Sequence, residues 1–251
     1  MSFLEKYLKE PFKYATSDWI KVSIGISLLF FIMLISLALA LLLGPFAAIF
    51  TFIPVLIVSI LLTGYYIGVI KNTLNGIDSL PNWSNFMEFI KDGILYYIAV
   101  TILSLVVYLP LILLIIVGIF FTGGFENYLT SGDLSSIITT PLIIFAMLSI
   151  LYILIVSIVL MIYIPLATVN FAKKGFFGFF EFFDILKKVS IRYILILILY
   201  FVIYIIVDII LGIISIIPII GVFTYVIGMG ALSFLWGVAA YRAIAKYYLD
   251  K

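Results

Sequence analysis

The chain contains no cysteine and no histidine. The first absence excludes disulfides and thiolate metal sites, and the second removes imidazole ligands and the commonest general acid/base. Charge is scarce as well. Only 10% of the 251 residues are charged, where a soluble domain carries about 25%. The 12 acids nearly cancel the 14 bases, so no overall charge points to nucleic acid. The sequence shows no phosphate-cradling glycine loop, no paired catalytic carboxylates and no nucleophile–base pair. These absences argue against an enzyme and against a bound cofactor or metal. Apolar side chains fill the space instead. They make up 66% of the chain, with a mean hydropathy of +1.39, a composition that places it among membrane proteins.

Crossing about 30 Å of hydrocarbon at 1.5 Å per residue takes about 20 apolar residues. Six stretches qualify, near residues 22–43, 46–70, 94–121, 141–168, 192–217 and 221–243. Lipid offers backbone amides no partner, so each stretch is expected to be a helix. The ten-residue alternating segments of a β-barrel are missing. Gly44-Pro45 predicts a tight turn between the first two spans, and Pro218 to Gly221 another between the last two. Pro141 suits the first turn of the fourth. The opening stretch MSFLEKYLKEPFKYATSDWIK is mixed in charge and aromatic, so a removable signal peptide is not expected.

Orientation follows from the bases. In a six-span arrangement all 14 fall on one side: Lys6 to Lys21, Lys71 and Lys91, Lys173 to Arg192, and Arg242 to Lys251. The other side carries Glu126 and Asp133 and no base. Positive loops stay inside, so both termini are expected in the cytoplasm and the protein in the plasma membrane.

One short phrase occurs twice. FMEFIKDGILYYI at 86–98 and FFDILKKVSIRYI at 182–194 align at an offset of 96 residues: aromatic-X-acid, a lysine, and Tyr-Ile. Both copies precede an outward-going span. In GFFGFFEFFDILKK, residues Gly178, Glu181, Asp184 and Lys188 form a narrow polar stripe beside six phenylalanines. That pattern predicts an amphipathic helix lying in the membrane surface, or packed on the spans as a lid. Phe176, Phe179, Phe180, Phe183, Lys187 and Lys188 are its candidate surface residues. In the first copy Pro81 would open such a helix and Gly93 close it, with Trp83 in the interfacial belt. The whole chain then reads as one all-α, six-span membrane domain, 1–251, with a parallel internal repeat. The units are about 46–121 and 141–217, and a third is split between 1–43 and 221–251.

Asp208 stands alone in the apolar run YFVIYIIVDIILGIISIIP. An ionised carboxylate at that depth is costly, so protonation, pairing or hydration is expected. Tyr204 and Ser215 share its helical face. The group is either a proton- or cation-linked site or a hydrogen-bonded helix clamp. Gly64 and Gly68 in the second span, and Gly230, Ser233 and Gly237 in the sixth, form small-residue faces for close helix packing; a dimer contact is the lesser reading. Pro54, Pro110 and Pro165 are expected to kink their spans.

The order Gly-Tyr, a polar link, Gly76, Leu80-Pro81, Trp83 and Asp92-Gly93 in GYYIGVIKNTLNGIDSLPNWSNFMEFIKDGI resembles an uncharacterised multi-pass membrane family. It is the domain of unknown function four-zero-one-three, common in methanogenic archaea. PFKYATSDWIKVSIG and WGVAAYRAIAKYY also resemble its flanks. The resemblance implies a six-span domain in a prokaryotic plasma membrane. It carries no activity and no site residues.

Two function classes remain. One is a non-enzymatic organiser of the membrane or of a partner. It would act through cytoplasmic helices on lipids, anionic ones included, on another protein or on a second copy. The other is a transporter or channel whose polar path includes Asp208. The few hydroxyls along the spans favour the first, because a hydrophilic solute needs hydrogen-bonding walls.

Overall fold

The computed structural model describes residues 2–121, 123–133, 140–218 and 220–251. The described residues form helices and connecting turns, without a strand. A π-helical turn, Glu5–Lys9, leads into α1, Glu10–Ala15. The long helices are α2, Trp19–Leu43; α3, Ala47–Leu74; α4, Phe86–Phe121; α6, Thr140–Lys174; α8, Ile191–Ile214; and α9, Ile220–Leu249. Two short ones, α5 (Gly124–Ser131) and α7 (Phe182–Leu186), lie between them.

Among the described residues, five apolar stretches are long enough to cross a membrane: Trp19–Leu74, Trp83–Phe120, Leu142–Lys174, Ile191–Ile214 and Phe223–Leu249. The first contains two helices. Asp18 caps α2 by accepting from the Ile20 and Lys21 amides at 3.1 and 3.2 Å. Gly44, at φ +53°, then takes the backbone out of the helix, and Pro45 sits in a 3₁₀ turn before α3 begins. α3 packs back against α2. Exposed Phe31, Leu41, Phe46 and Ile53 stud the outside of this pair, as expected where lipid is the solvent.

The chain forms two compact units, Met1–Tyr97 with Pro165–Lys251, and Ile98–Ile164. In the first, α9 touches α1, α2, α3 and α8. Small residues on α9 and on its neighbour α2 make this central position available. A Cβ on Gly237 would lie 2.6 Å from the Tyr66 ring, and one on Gly25 would lie 2.1 Å from the Phe234 ring. The closest crossing joins α3 to the start of α4. A Cβ on Gly64 would fall 1.8 Å from the Phe89 carbonyl oxygen, and one on Gly93 would fall 2.1 Å from that of Ile60. Two backbones meet here with no side chain between them. In the second unit, Tyr152 donates to the Val107 carbonyl at 2.5 Å, next to the carbonyl that Pro110 deprives of its helical donor. The helices run through Pro54, Pro110 and Pro165 without ending.

The structure corrects two expectations about the repeated phrase. Gly93 does not close a separate surface helix, because 86–98 is the first part of the uninterrupted α4. Gly93 is needed for the α3 crossing. The second copy is not one amphipathic helix either. It is a 3₁₀ turn, Phe176–Phe180, then a break at Glu181 (ψ 63°), then the single turn of α7. Ser190 begins α8 afresh by accepting from the Tyr193 amide. The aligned copies therefore differ locally: 86–98 is continuous helix, whereas 182–194 is broken between α7 and α8. Pro141 lies at the start of α6. Ile219, in the expected turn from Pro218 to Gly221, lies outside the described residues, as do Thr122 and residues 134–139.

Candidate functional site

Among the described residues, buried Thr73, Asn170 and Arg242 lie on the helix ends that carry the bases. α9 carries Arg242 inward until only 2% of it is exposed, and the neighbours arrange themselves around the guanidinium. Its Nη2 donates to Glu10 Oε1 at 2.9 Å and to Asp78. Its Nη1 donates to Thr73 Oγ1 at 3.2 Å and to the Ile77 carbonyl at 3.4 Å. The guanidinium carbon sits 4.2 Å from the centre of the Tyr14 ring. Lys246 pairs with the same Glu10 oxygen at 2.7 Å. One arginine thus ties α1, the end of α3 and the 76–80 turn to α9. Asp78 is 82% exposed, so the pair joins a buried cation to a hydrated carboxylate. Arg242, by hydrogen bond and charge, holds that carboxyl below its usual range. Burial pushes the Tyr14 phenol up to about 12, against the pull of Arg242.

A second node forms where α6 ends. Gly175, at φ +80°, turns the chain, and buried Asn170 fixes the segment beyond it. Its Nδ2 donates to the Gly178 carbonyl at 2.7 Å and to Glu181 Oε2 at 2.8 Å. Its Oδ1 accepts from the Tyr248 hydroxyl at 2.6 Å. Lys174 completes the node as an ion pair with Glu181, whose carboxyl is held low by Lys174 first and Asn170 second. Tyr247 donates to the Lys188 carbonyl at 2.5 Å and meets Ser190 Oγ at 2.7 Å.

Between these groups opens a cleft of about 400 Å³, lined by Asn170, Lys173, Lys174, Asp184, Lys187, Lys188, Tyr248 and Lys251. Five of those eight residues are lysines. The ammonium groups of Lys188 and Lys173 lie 4.2 and 5.2 Å from the centre of the Tyr248 ring. Lys187 reaches Asp184 at 3.5 Å. Burial, then Lys173 and Lys174, pushes the Lys188 ammonium below the usual lysine range. A second cleft, of about 530 Å³, borders Arg242 and mixes both signs through Glu10, Lys13 and Asp78.

The surface residues expected on 176–188 divide. Phe183 is 82% exposed, as is its neighbour Phe177. Phe179 is fully buried, a correction to its expected lipid contact. Broken into turns, the segment points it inward, edge-on to Tyr96 at 5.6 Å. Phe176 and Phe180 stack edge-on at 5.5 Å and are half-buried. Trp83 is half-buried and joins an aromatic cluster. Its ring lies 4.2 Å from that of Tyr65, and its Nε1 donates to the Lys21 carbonyl at 2.8 Å. The Leu80-Pro81-X-Trp83 motif is thus a plug, with Leu80 and Pro81 buried.

Gly64 and Gly68 lie against α4 and Pro81, Gly230 against α2, and Gly237 against Tyr66; the Ser233 carbonyl accepts from Tyr66 at 3.4 Å. Asp208 is half-buried, but Tyr204 and Ser215 do not serve it. Tyr204 packs on Trp236 at 5.8 Å, and Ser215 donates to the Gly212 carbonyl in its own helix at 2.6 Å. The hydroxyl that faces Asp208 is Tyr225 of α9, at 3.5 Å, the outer limit of a hydrogen bond. Helical spacing along α8 gives no sign of a partner on the next helix. Arg242 and Asn170 did leave a sign: each stands out as a strong hydrogen-bonding group in a mostly small and apolar stretch, AAYRAIA and ATVNFA.

The chain is similar in sequence to uncharacterized proteins. It is 34% identical over 222 residues to Uncharacterized protein MJ1189 of Methanocaldococcus jannaschii, covering 78% of this chain and 73% of that one. It is 33% identical over 145 residues to Uncharacterized protein MJ0233 of the same organism, covering 58% of this chain and 48% of the other. No solved structure matches it. The profile described as Protein of unknown function (DUF4013) matches residues 47–216, and the chain belongs to that family.

Proposed function

We propose that the chain is a six-span protein of the plasma membrane, with both termini cytoplasmic, that organises lipids or a partner at that face without catalysing a reaction. The separate helices α2 and α3 support the count of six, because each alone is long enough to span. The phrase repeated at an offset of 96 residues supports descent from a duplicated unit whose copies have since diverged locally. Exposed Phe177 and Phe183 sink into the headgroup layer and hold the 176–188 turns at the surface.

One observation carries this reading. The buried, bonded polar groups, Arg242 and Asn170, stand at the helix ends that bear the bases, whereas the isolated intramembrane acid, Asp208, faces a tyrosine hydroxyl. A rigid polar platform beside an exposed basic cleft suits docking. A path for a hydrophilic solute would need more than one polar group along the spans.

The test is reconstitution into proteoliposomes loaded with a proton- or cation-sensitive dye. The expected flux equals that of protein-free vesicles and is unchanged by Asp208→Asn. A flux that Asp208→Asn abolishes would make the protein a transporter instead.

A further inference from the structure

We propose that the lysine cleft between the end of α6, the 176–188 turns and the end of α9 holds a phosphate group, either of an anionic lipid headgroup or of a soluble phosphate. This deepens the docking reading above and rests on it.

The cleft is built rather than accidental. Its floor, Tyr248, is buried and locked by the hydrogen bond from its hydroxyl to Asn170. Asn170 also fixes the Gly178 carbonyl and Glu181, so one buried amide sets both walls. Gly178 must be glycine for this, because a Cβ there would sit 2.7 Å from the Asn170 carbonyl oxygen.

The lysines divide by what they hold. Lys174 is committed to Glu181, and Lys187 leans on Asp184. Lys173 and Lys188 instead converge on the Tyr248 ring. A ring face orients an ammonium without neutralising it. Two cations are therefore gathered while keeping their charge and most of their N–H donors. A doubly charged phosphate, with several acceptor oxygens, is the group that answers them; each ammonium offers up to three donors, and the anion relieves their mutual repulsion. Lys251 adds a further cation at the rim. A volume of about 400 Å³ accommodates a phosphate with part of its headgroup. Burial first, and the crowding of Lys173 and Lys174 second, push Lys188 down, and a bound anion would return it upward.

The experiment uses the full chain in nanodiscs. Native mass spectrometry reads lipid retained from phosphatidylcholine discs with or without phosphatidic acid, and calorimetry reads inorganic phosphate added to phosphatidylcholine discs alone. The cleft variant is Lys173→Gln with Lys188→Gln, which leaves both ion pairs in place. The control is Lys9→Gln with Lys91→Gln, with the same charge loss elsewhere. Phosphatidic acid retained by parent and control, and weakened on the order of 10–30-fold in the cleft variant, supports the proposal with lipid as the source. Saturable inorganic phosphate binding with that variant pattern, and no lipid retention, supports it with a soluble source. Equal loss in both variants, or no binding in either arm, overturns it. Neither result alters the flux measurement, so failure of the cleft and failure of the non-transport reading are told apart.

Discussion

Replacing Arg242 by alanine removes the residue that ties the N-terminal segment and the 76–80 turn to α9. Breaking a buried ion pair usually costs about 3–5 kcal/mol, because an unpaired charge stays behind in the interior. Here the orphaned groups have other recourse. Asp78 is 82% exposed and rehydrates, and Glu10 keeps Lys246 at 2.7 Å. The electrostatic loss therefore falls well below that range, to about 1 kcal/mol. Two further losses remain. Thr73 and the Ile77 carbonyl lose a donor, at about 1 kcal/mol each, and the contact with Tyr14 is worth about 0.5–1 kcal/mol. Together these give about 3–4 kcal/mol. For a chain of this size that is a fall of roughly 6–16 °C in Tm. Thermal unfolding followed by tryptophan fluorescence in nanodiscs measures it. Limited trypsin digestion localises it, since cleavage at Lys9 and Lys13 should quicken before any other. A variant that melts within about 1 °C of the parent, with no new cleavage near Lys13, would refute the reasoning: the guanidinium would not be holding the segment down.

Three further outcomes follow from the same geometry. Gly64→Ala should cost about 3 kcal/mol or more, because its Cβ meets the Phe89 backbone at 1.8 Å, whereas Gly212→Ala, with nothing within 4 Å, should be neutral or stabilising by up to about 1 kcal/mol; paired melting curves compare them. Asn170→Ala should cost about 3 kcal/mol, since Tyr248 and the Gly178 carbonyl lose their partners together, and chemical denaturation measures it. Asp78 and Glu181 hold their carboxyls below the ordinary values of 3.8 and 4.5, so their contribution is complete above those values and is lost as pH falls through the depressed ones. Stability should thus decline on acidification below about pH 4.5, and a melting temperature that rises there would contradict the assignment.

The long helices were legible because lipid imposes a length and a composition, and the turn at Gly44-Pro45 because only glycine takes its φ cheaply. Hydropathy marks hydrocarbon depth, however, not where a helix starts. The third span was expected from residue 94, yet α4 begins at Phe86, and the sixth was expected to stop at 243, yet α9 continues to Leu249. Their charged, aromatic ends are helical because neighbouring helices satisfy them. Gly93 misled for a related reason: glycine marks a helix end and a helix crossing alike, and only the opposed Gly64 decides between them. The polar nodes were hidden by distance along the chain. Arg242 meets Glu10 across 232 positions, and Tyr248 meets Asn170 across 78. No periodicity along one helix can report such a meeting.

The account depends on six crossings that leave every base on one side of the bilayer. A chain without native cysteine allows that to be read directly. Single cysteines placed at Ser2, Glu126 and Lys251 would be labelled with a membrane-impermeant maleimide, in intact cells and in inverted vesicles. The account predicts that Glu126→Cys reacts only in cells, and that Ser2→Cys and Lys251→Cys react only in inverted vesicles. Labelling of the two chain ends from opposite sides would contradict it.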